Sequence, residues 1–82
     1  MLKPEQIRGA RAMLGLTQAE VAKRAGISTT GLNNIERGSS DPKASTLTAV
    51  QQVLEAAGVE FTNGGEPGVK LRRKDQVSAG DP

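Results

Sequence analysis

Ser28, Thr29, Thr30, Asn33 and Asn34 form a run of short, uncharged hydrogen-bonding side chains, set beside apolar Leu32 and Ile35 at helical spacing. The chemistry open to such a face is recognition: an Asn amide can pair bidentately with adenine, and a Thr methyl can pack on the methyl of thymine. Thr17 and Gln18 precede this run, and Arg37, Ser39, Ser40 and Lys43 follow it. These are residue types that bind phosphate oxygens through hydroxyl, amide or cation. Catalysis has little to work with. The chain contains no His and no Cys, which removes imidazole and thiol chemistry together with the usual metal ligands. No GxxxxGK[ST] phosphate loop occurs, no Ser is spaced from a base as a nucleophile requires, and no metal or cofactor is expected.

The elements that must carry these residues can be read from periodicity and punctuation. A first helix opens near Pro4, which suits a first helical position, and places Ile7, Ala10, Arg11 and Leu14 on one face before Gly15. A second opens on Thr17 with Glu20 three residues on, the pattern of a capping box, turns Val21 and Ala22 inward and ends at Gly26. The third spans roughly Ser28 to Arg37, capped by Ser28 or Thr29 and stopped by Gly38. After a loop through Ser39, Ser40, Asp41 and Pro42, a fourth is expected to start at Ser45 or Thr46, with Leu47, Val50, Val53, Leu54 and Ala57 at helical spacing.

Beyond Gly58 the period drops to two. Val59 and Phe61 alternate with Glu60 and Thr62, and Val69 and Leu71 with Lys70 and Arg72, around the turn chemistry of Asn63 to Gly68. The reading is a two-stranded hairpin with one apolar face. The fold class expected is therefore mainly α, a small four-helix bundle followed by a short C-terminal β-hairpin. Its divisions are a bundle over 1–58, a hairpin over 59–73 and a disordered tail over 74–82.

Two short helices joined at Gly26, with Ile27 at the corner and Leu32 and Ile35 anchoring the second, make a helix-turn-helix. On Leu14 to Ala22, Gly26-Ile27-Ser28 and Ile35-Glu36-Arg37-Gly38, the chain resembles the Cro/CI-type, or XRE-family, helix-turn-helix transcriptional regulators, from about Ile7 to Val59. The resemblance implies a lambda-repressor-like bundle whose third helix reads bases in the major groove of double-stranded DNA through Ser28, Thr29, Thr30, Asn33 and Asn34. It also implies phosphate contacts from Thr17 and Gln18 and from Arg37, Ser39, Ser40 and Lys43, and a structural ion pair between Arg11 and Glu36. The residue chemistry agrees on the pair, because an Arg on an apolar stripe needs a partner.

A chain of 82 residues buries only about 60% of its unfolded surface, so help from a second subunit is expected. Val59, Phe61, Val69 and Leu71 are the candidate interface of a homodimer, unless the hairpin folds back on its own helices. The same surface suits a rival reading, a protein-binding module such as an antitoxin or antiactivator. The net charge of +2 is modest, but basic residues gather at Lys70, Arg72, Arg73 and Lys74. With no signal pattern and no bilayer-length apolar run, the expected location is the cytoplasm.

Overall fold

The computed structural model describes residues 2–62 and 65–72. Asn63 and Gly64 of the expected turn, Arg73 and the tail over 74–82 lie outside the described residues. The elements are α1 (Pro4–Leu14), α2 (Gln18–Ala25), α3 (Thr29–Arg37), α4 (Ala44–Ala57), β1 (Val59–Thr62) and β2 (Gly68–Leu71).

Local chemistry explains most of these boundaries. Thr17 Oγ1 accepts from the Glu20 amide at 3.1 Å while the Thr17 amide donates to Glu20 Oε1 at 2.8 Å, so two otherwise unpaired donors at the start of α2 are satisfied reciprocally. The same contacts hold the Glu20 carboxyl below its ordinary pKa, the backbone hydrogen bond from Thr17 being the main cause. Ser28 Oγ accepts from the Gly31 amide at 2.9 Å and starts α3. The turn between them needs a left-handed residue. Gly26 has φ 75°, and its own amide and that of Ile27 donate back to Lys23 and Ala22 at 3.2 and 2.9 Å. A Cβ there would cost about 1–2 kcal/mol.

One boundary differs from the sequence reading. The fourth helix begins at Ala44, ahead of Ser45 and Thr46, and no hydroxyl caps it. The amides of Thr46 and Leu47 instead share the Lys43 carbonyl at 3.0 and 3.1 Å. Lys43, extended immediately after Pro42, thereby becomes the residue flanking the positive end of α4 rather than a mid-loop cation.

The core lies where the helices meet: Leu2, Ile7, Ala10, Val21, Ala22, Leu32, Ile35, Leu47, Val50, Leu54 and Val59 are buried. The strands pair antiparallel in the register Val59↔Leu71 and Phe61↔Val69, so the four apolar residues share one face. That face rests on the chain's own helices. A Cβ built on Gly9 would lie 3.2 Å from Val69 Cγ1, so the absence of a side chain at Gly9 is what lets β2 approach α1. Gln6, only 2% exposed, donates from Nε2 to the carbonyls of Thr62 (3.1 Å) and Gly68 (2.9 Å), binding both strands to the first turn of α1. At the other end the Arg72 amide donates to the Gly58 carbonyl at 2.8 Å and Arg72 Nη2 to the Glu55 carbonyl at 3.0 Å. Of the residues offered to a partner, Val59 is therefore taken up by the chain's own core at 1% exposure, Phe61 and Val69 are partly buried against it, and Leu71 stays 51% exposed. No helix among the described residues is long and apolar enough to cross a membrane.

Candidate nucleic-acid interface

The face of α3 is set by what its other side must bury. Leu32, Ile35 and Glu36 point inward, and Ala22 of α2 is buried with Leu32 in the same core. What remains outward is polar: Ser28, Thr29 and Thr30 are exposed, and Asn33 and Asn34 are partly so. The structure thus brings all five candidate base-reading residues to the N-cap and solvent side of one helix.

That helix is held at a fixed angle by a polar cluster. Glu36 accepts from Arg11 at both carboxylate oxygens, Nε to Oε2 at 2.8 Å and Nη2 to Oε1 at 2.9 Å. Arg11 Nη1 also donates to the Leu16 carbonyl at 3.1 Å, so the guanidinium joins α1, the α1–α2 connection and α3. The hydrogen bond to Glu36 holds the Arg11 pKa above its ordinary value, against the opposing effect of burial. The structural pair expected between these residues is present. Arg8 adds a tie that residue type alone did not reveal, donating from Nη1 to the Glu36 carbonyl near the C-terminal end of α3, where a cation is favoured.

The Gln18 side chain is engaged within the protein. Its Nε2 donates to Asn33 Oδ1 and to Glu36 Oε1, both at 3.2 Å, so both amide hydrogens are turned toward α3. What the tip of α2 offers outward is the backbone N–H of its first residues, which have no partner inside the helix. Thr17 is also occupied, its hydroxyl and amide both engaged with Glu20. At the far end of α3, Arg37, Ser39, Ser40 and Lys43 are all exposed. Ser39 is fixed by its amide and hydroxyl, which donate to the Asn34 carbonyl at 3.0 and 3.3 Å, while the Asn34 side chain has no hydrogen-bond partner among the described residues.

Residues 7–61 match the helix-turn-helix family. The chain belongs to that family. Its XRE-type, repressor-like character is seen in the DNA-binding domain of the P22 C2 repressor (residues 1–76), which is 31% identical, aligns with 67% of this chain and 72% of that one, and superposes with a TM-score of 0.62. No curated protein matches the chain. The family match takes in α3, the Arg11–Glu36 pair and β1 as far as Phe61 but stops short of β2, so Gln6, which precedes the match, ties a helix-turn-helix bundle to an appended strand.

Two features of this helix-turn-helix domain escaped the sequence. Gln6 reads as a surface residue in the first turn of an amphipathic helix, and the carbonyls that its Nε2 reaches are 56 and 62 residues away. The link from Gln18 to Asn33 had a weak signal only, the known proximity of the start of α2 to the face of α3 in any helix-turn-helix.

Proposed function

We propose that the chain is a sequence-specific double-stranded DNA-binding transcriptional regulator, which binds a palindromic or near-palindromic operator as a homodimer with α3 in the major groove. The observation that carries this reading is the chemistry of α3. Its buried side is fixed by core packing and by the bidentate Arg11–Glu36 pair, and its outward side from Ser28 to Asn34 offers only uncharged donors and acceptors, the cation Arg37 coming at its far end. Such groups discriminate bases at short range and contribute little non-specific attraction. Attraction to the backbone comes from the flanks. The free N–H groups at the tip of α2 suit one phosphate, and Arg37, Ser39, Ser40 and Lys43 suit the next stretch of backbone, Lys43 reinforced by the positive end of α4.

A two-fold dimer would set two copies of α3 about 34–36 Å apart, on successive major grooves of one DNA face. Leu71 and Met13, 51% and 45% exposed, are the apolar surface offered to the second copy. They equally favour a second reading, in which the domain holds a different protein as an antitoxin or antiactivator does. Retention of duplexes from a random pool, followed by sequencing, tests the proposal. An enriched inverted repeat is expected, and a retained pool with no enriched sequence would overturn it.

A further inference from the structure

The amide of Asn33 cannot be oriented freely, and the reason begins in the core. Glu36 is 2% exposed and, as a carboxylate, can only accept. Its Oε1 receives Arg11 Nη2 at 2.9 Å and Gln18 Nε2 at 3.2 Å. Gln18 must therefore direct its NH2 group toward Glu36, since the opposite flip would set two oxygens against each other. With the NH2 so placed, its second hydrogen points at Asn33 and requires an acceptor there, which is Asn33 Oδ1 at 3.2 Å. The flip of each amide is thus dictated by the one beneath it, from the Arg11–Glu36 pair through Gln18 to the surface of α3.

Asn33 Nδ2 is the end of this chain. It has no hydrogen-bond partner among the described residues, and no buried side-chain nitrogen or oxygen lacks one, so its NH2 is open to solvent on the recognition face. We infer that Gln18 is a positioning residue that fixes Asn33 as a hydrogen-bond donor toward DNA, selecting a base with acceptors in the major groove, guanine through its O6 and N7. Adenine is less well served. Its bidentate pairing with Asn needs the amide oxygen as well as the NH2, and here one of that oxygen's two acceptor positions is already taken by Gln18. This inference rests on the DNA-binding reading and sharpens it, assigning Asn33 a different partner from the adenine that its residue type alone suggests.

The test compares the intact protein with Gln18→Leu, which keeps bulk and removes the donor, and with Asn33→Ala, which identifies the base pair concerned as the position whose preference changes. Bound duplexes are selected from a random pool and then competed pairwise. At that position the wild type should favour guanine over adenine by roughly tenfold, and Gln18→Leu should bring the ratio close to one while preferences elsewhere in the operator persist. Loss of affinity for all sequences alike would mark a merely structural role and overturn the inference. A wild-type preference for adenine, or an unchanged ratio in Gln18→Leu, would do the same.

A measurement without DNA separates the two levels of the argument. Side-chain amide exchange by NMR should show the Gln18 NH2 protected relative to exposed Gln52. Equal rates would remove the fixed chain of amides, and the inference with it. Protection at Gln18 in a protein that retains no duplex would instead sink the DNA-binding reading, taking base selection with it and leaving the amide chain as a structural fact.

Discussion

Arg11 and Glu36 meet through two nearly parallel hydrogen bonds, yet they are unequally buried, the Glu36 side chain being 2% exposed and that of Arg11 24%. The inequality predicts which partner matters more. Arg11→Ala leaves a carboxylate in the core with its main counter-charge gone, at a cost of about 3 kcal/mol, the low end for a buried pair because water reaches the Arg11 side. Glu36→Gln leaves a partly exposed cation and keeps one acceptor facing it while setting an NH2 against a second donor, at about 1–2 kcal/mol. Thermal denaturation should therefore rank Arg11→Ala below Glu36→Gln. The reverse order would mean that the pair is hydrated in solution.

Acid should loosen the start of α2. The Glu20 carboxyl is held below its ordinary pKa by Thr17, so its contribution is present above the unfolded-state value and is lost as pH falls through the lower, folded one. Gln at this position can still complete the capping box but does not titrate. Melting curves of wild type and Glu20→Gln should differ most near neutrality and converge on acidification. Parallel curves across that range would assign the acid sensitivity to other groups.

Caps and hydrophobic periods encode most of the fold locally. Thr17 with Glu20, Ser28, and the glycines at 15, 26 and 38 mark their helices because each satisfies a local backbone donor or permits a left-handed turn. That Arg11 needs a partner was legible for a related reason, since a charge on an apolar stripe must be paired, while Glu36 as that partner followed from the family resemblance. What failed was anything decided by distant geometry. Ser45 and Thr46 looked like caps, but Pro42 and Lys43 bring the chain into α4 earlier. Nothing local distinguishes Gln6 from a solvated glutamine, and nothing in the alternation of Val59 and Phe61 says whether they cover this bundle or another. Burial to 1% exposure settles that for Val59, as the approach of β2 to Gly9 does for Val69.

Gln6 should be the residue on which the hairpin depends. Replacing it with Leu leaves the carbonyls of Thr62 and Gly68 without their Nε2 donor, and the Lys3 amide without the Oε1 that it reaches at 2.8 Å. Each of these part-buried hydrogen bonds contributes about 0.5–1.5 kcal/mol. Hydrogen exchange should accelerate in β1 and β2 well before it changes in Leu32 or Ile35, whose protection reports the bundle. Uniform acceleration would show that hairpin and bundle open together.

Asn34 and Lys43 should separate reading from gripping. The Asn34 side chain is free of partners among the described residues, so Asn34→Ala should keep the melting temperature and lose about 1–3 kcal/mol of discrimination at one base pair. Lys43 flanks α4 and is exposed. Lys43→Ala should weaken all duplexes alike and reduce the slope of log K against log salt by about 0.9. An Asn34→Ala protein with unaltered base preference would remove that residue from the recognition set.

Leu71 carries the prediction about assembly. Cutting the chain at Gly58 is a poor test, because Val59 belongs to the core at 1% exposure and would be lost with the hairpin. Leu71 lies on the same hairpin face but remains 51% exposed. Gly9 marks where Val69 meets α1. One helical turn further, about 6 Å along α1, comes Met13, and two residues further, about 6.6 Å along β2, comes Leu71. With helix and strand running the same way, from Gln6 against Gly68 to Gly9 against Val69, both exposed apolar side chains lie toward the same end of the hairpin. Leu71→Asp places a charge there at a fold cost of about 0.5 kcal/mol or less, as for other surface substitutions. In sedimentation equilibrium the wild type is expected as a dimer and Leu71→Asp as a folded monomer with weakened operator binding. A variant that remains dimeric would move the interface away from the hairpin, while a wild type monomeric at every concentration would leave this surface to a different protein.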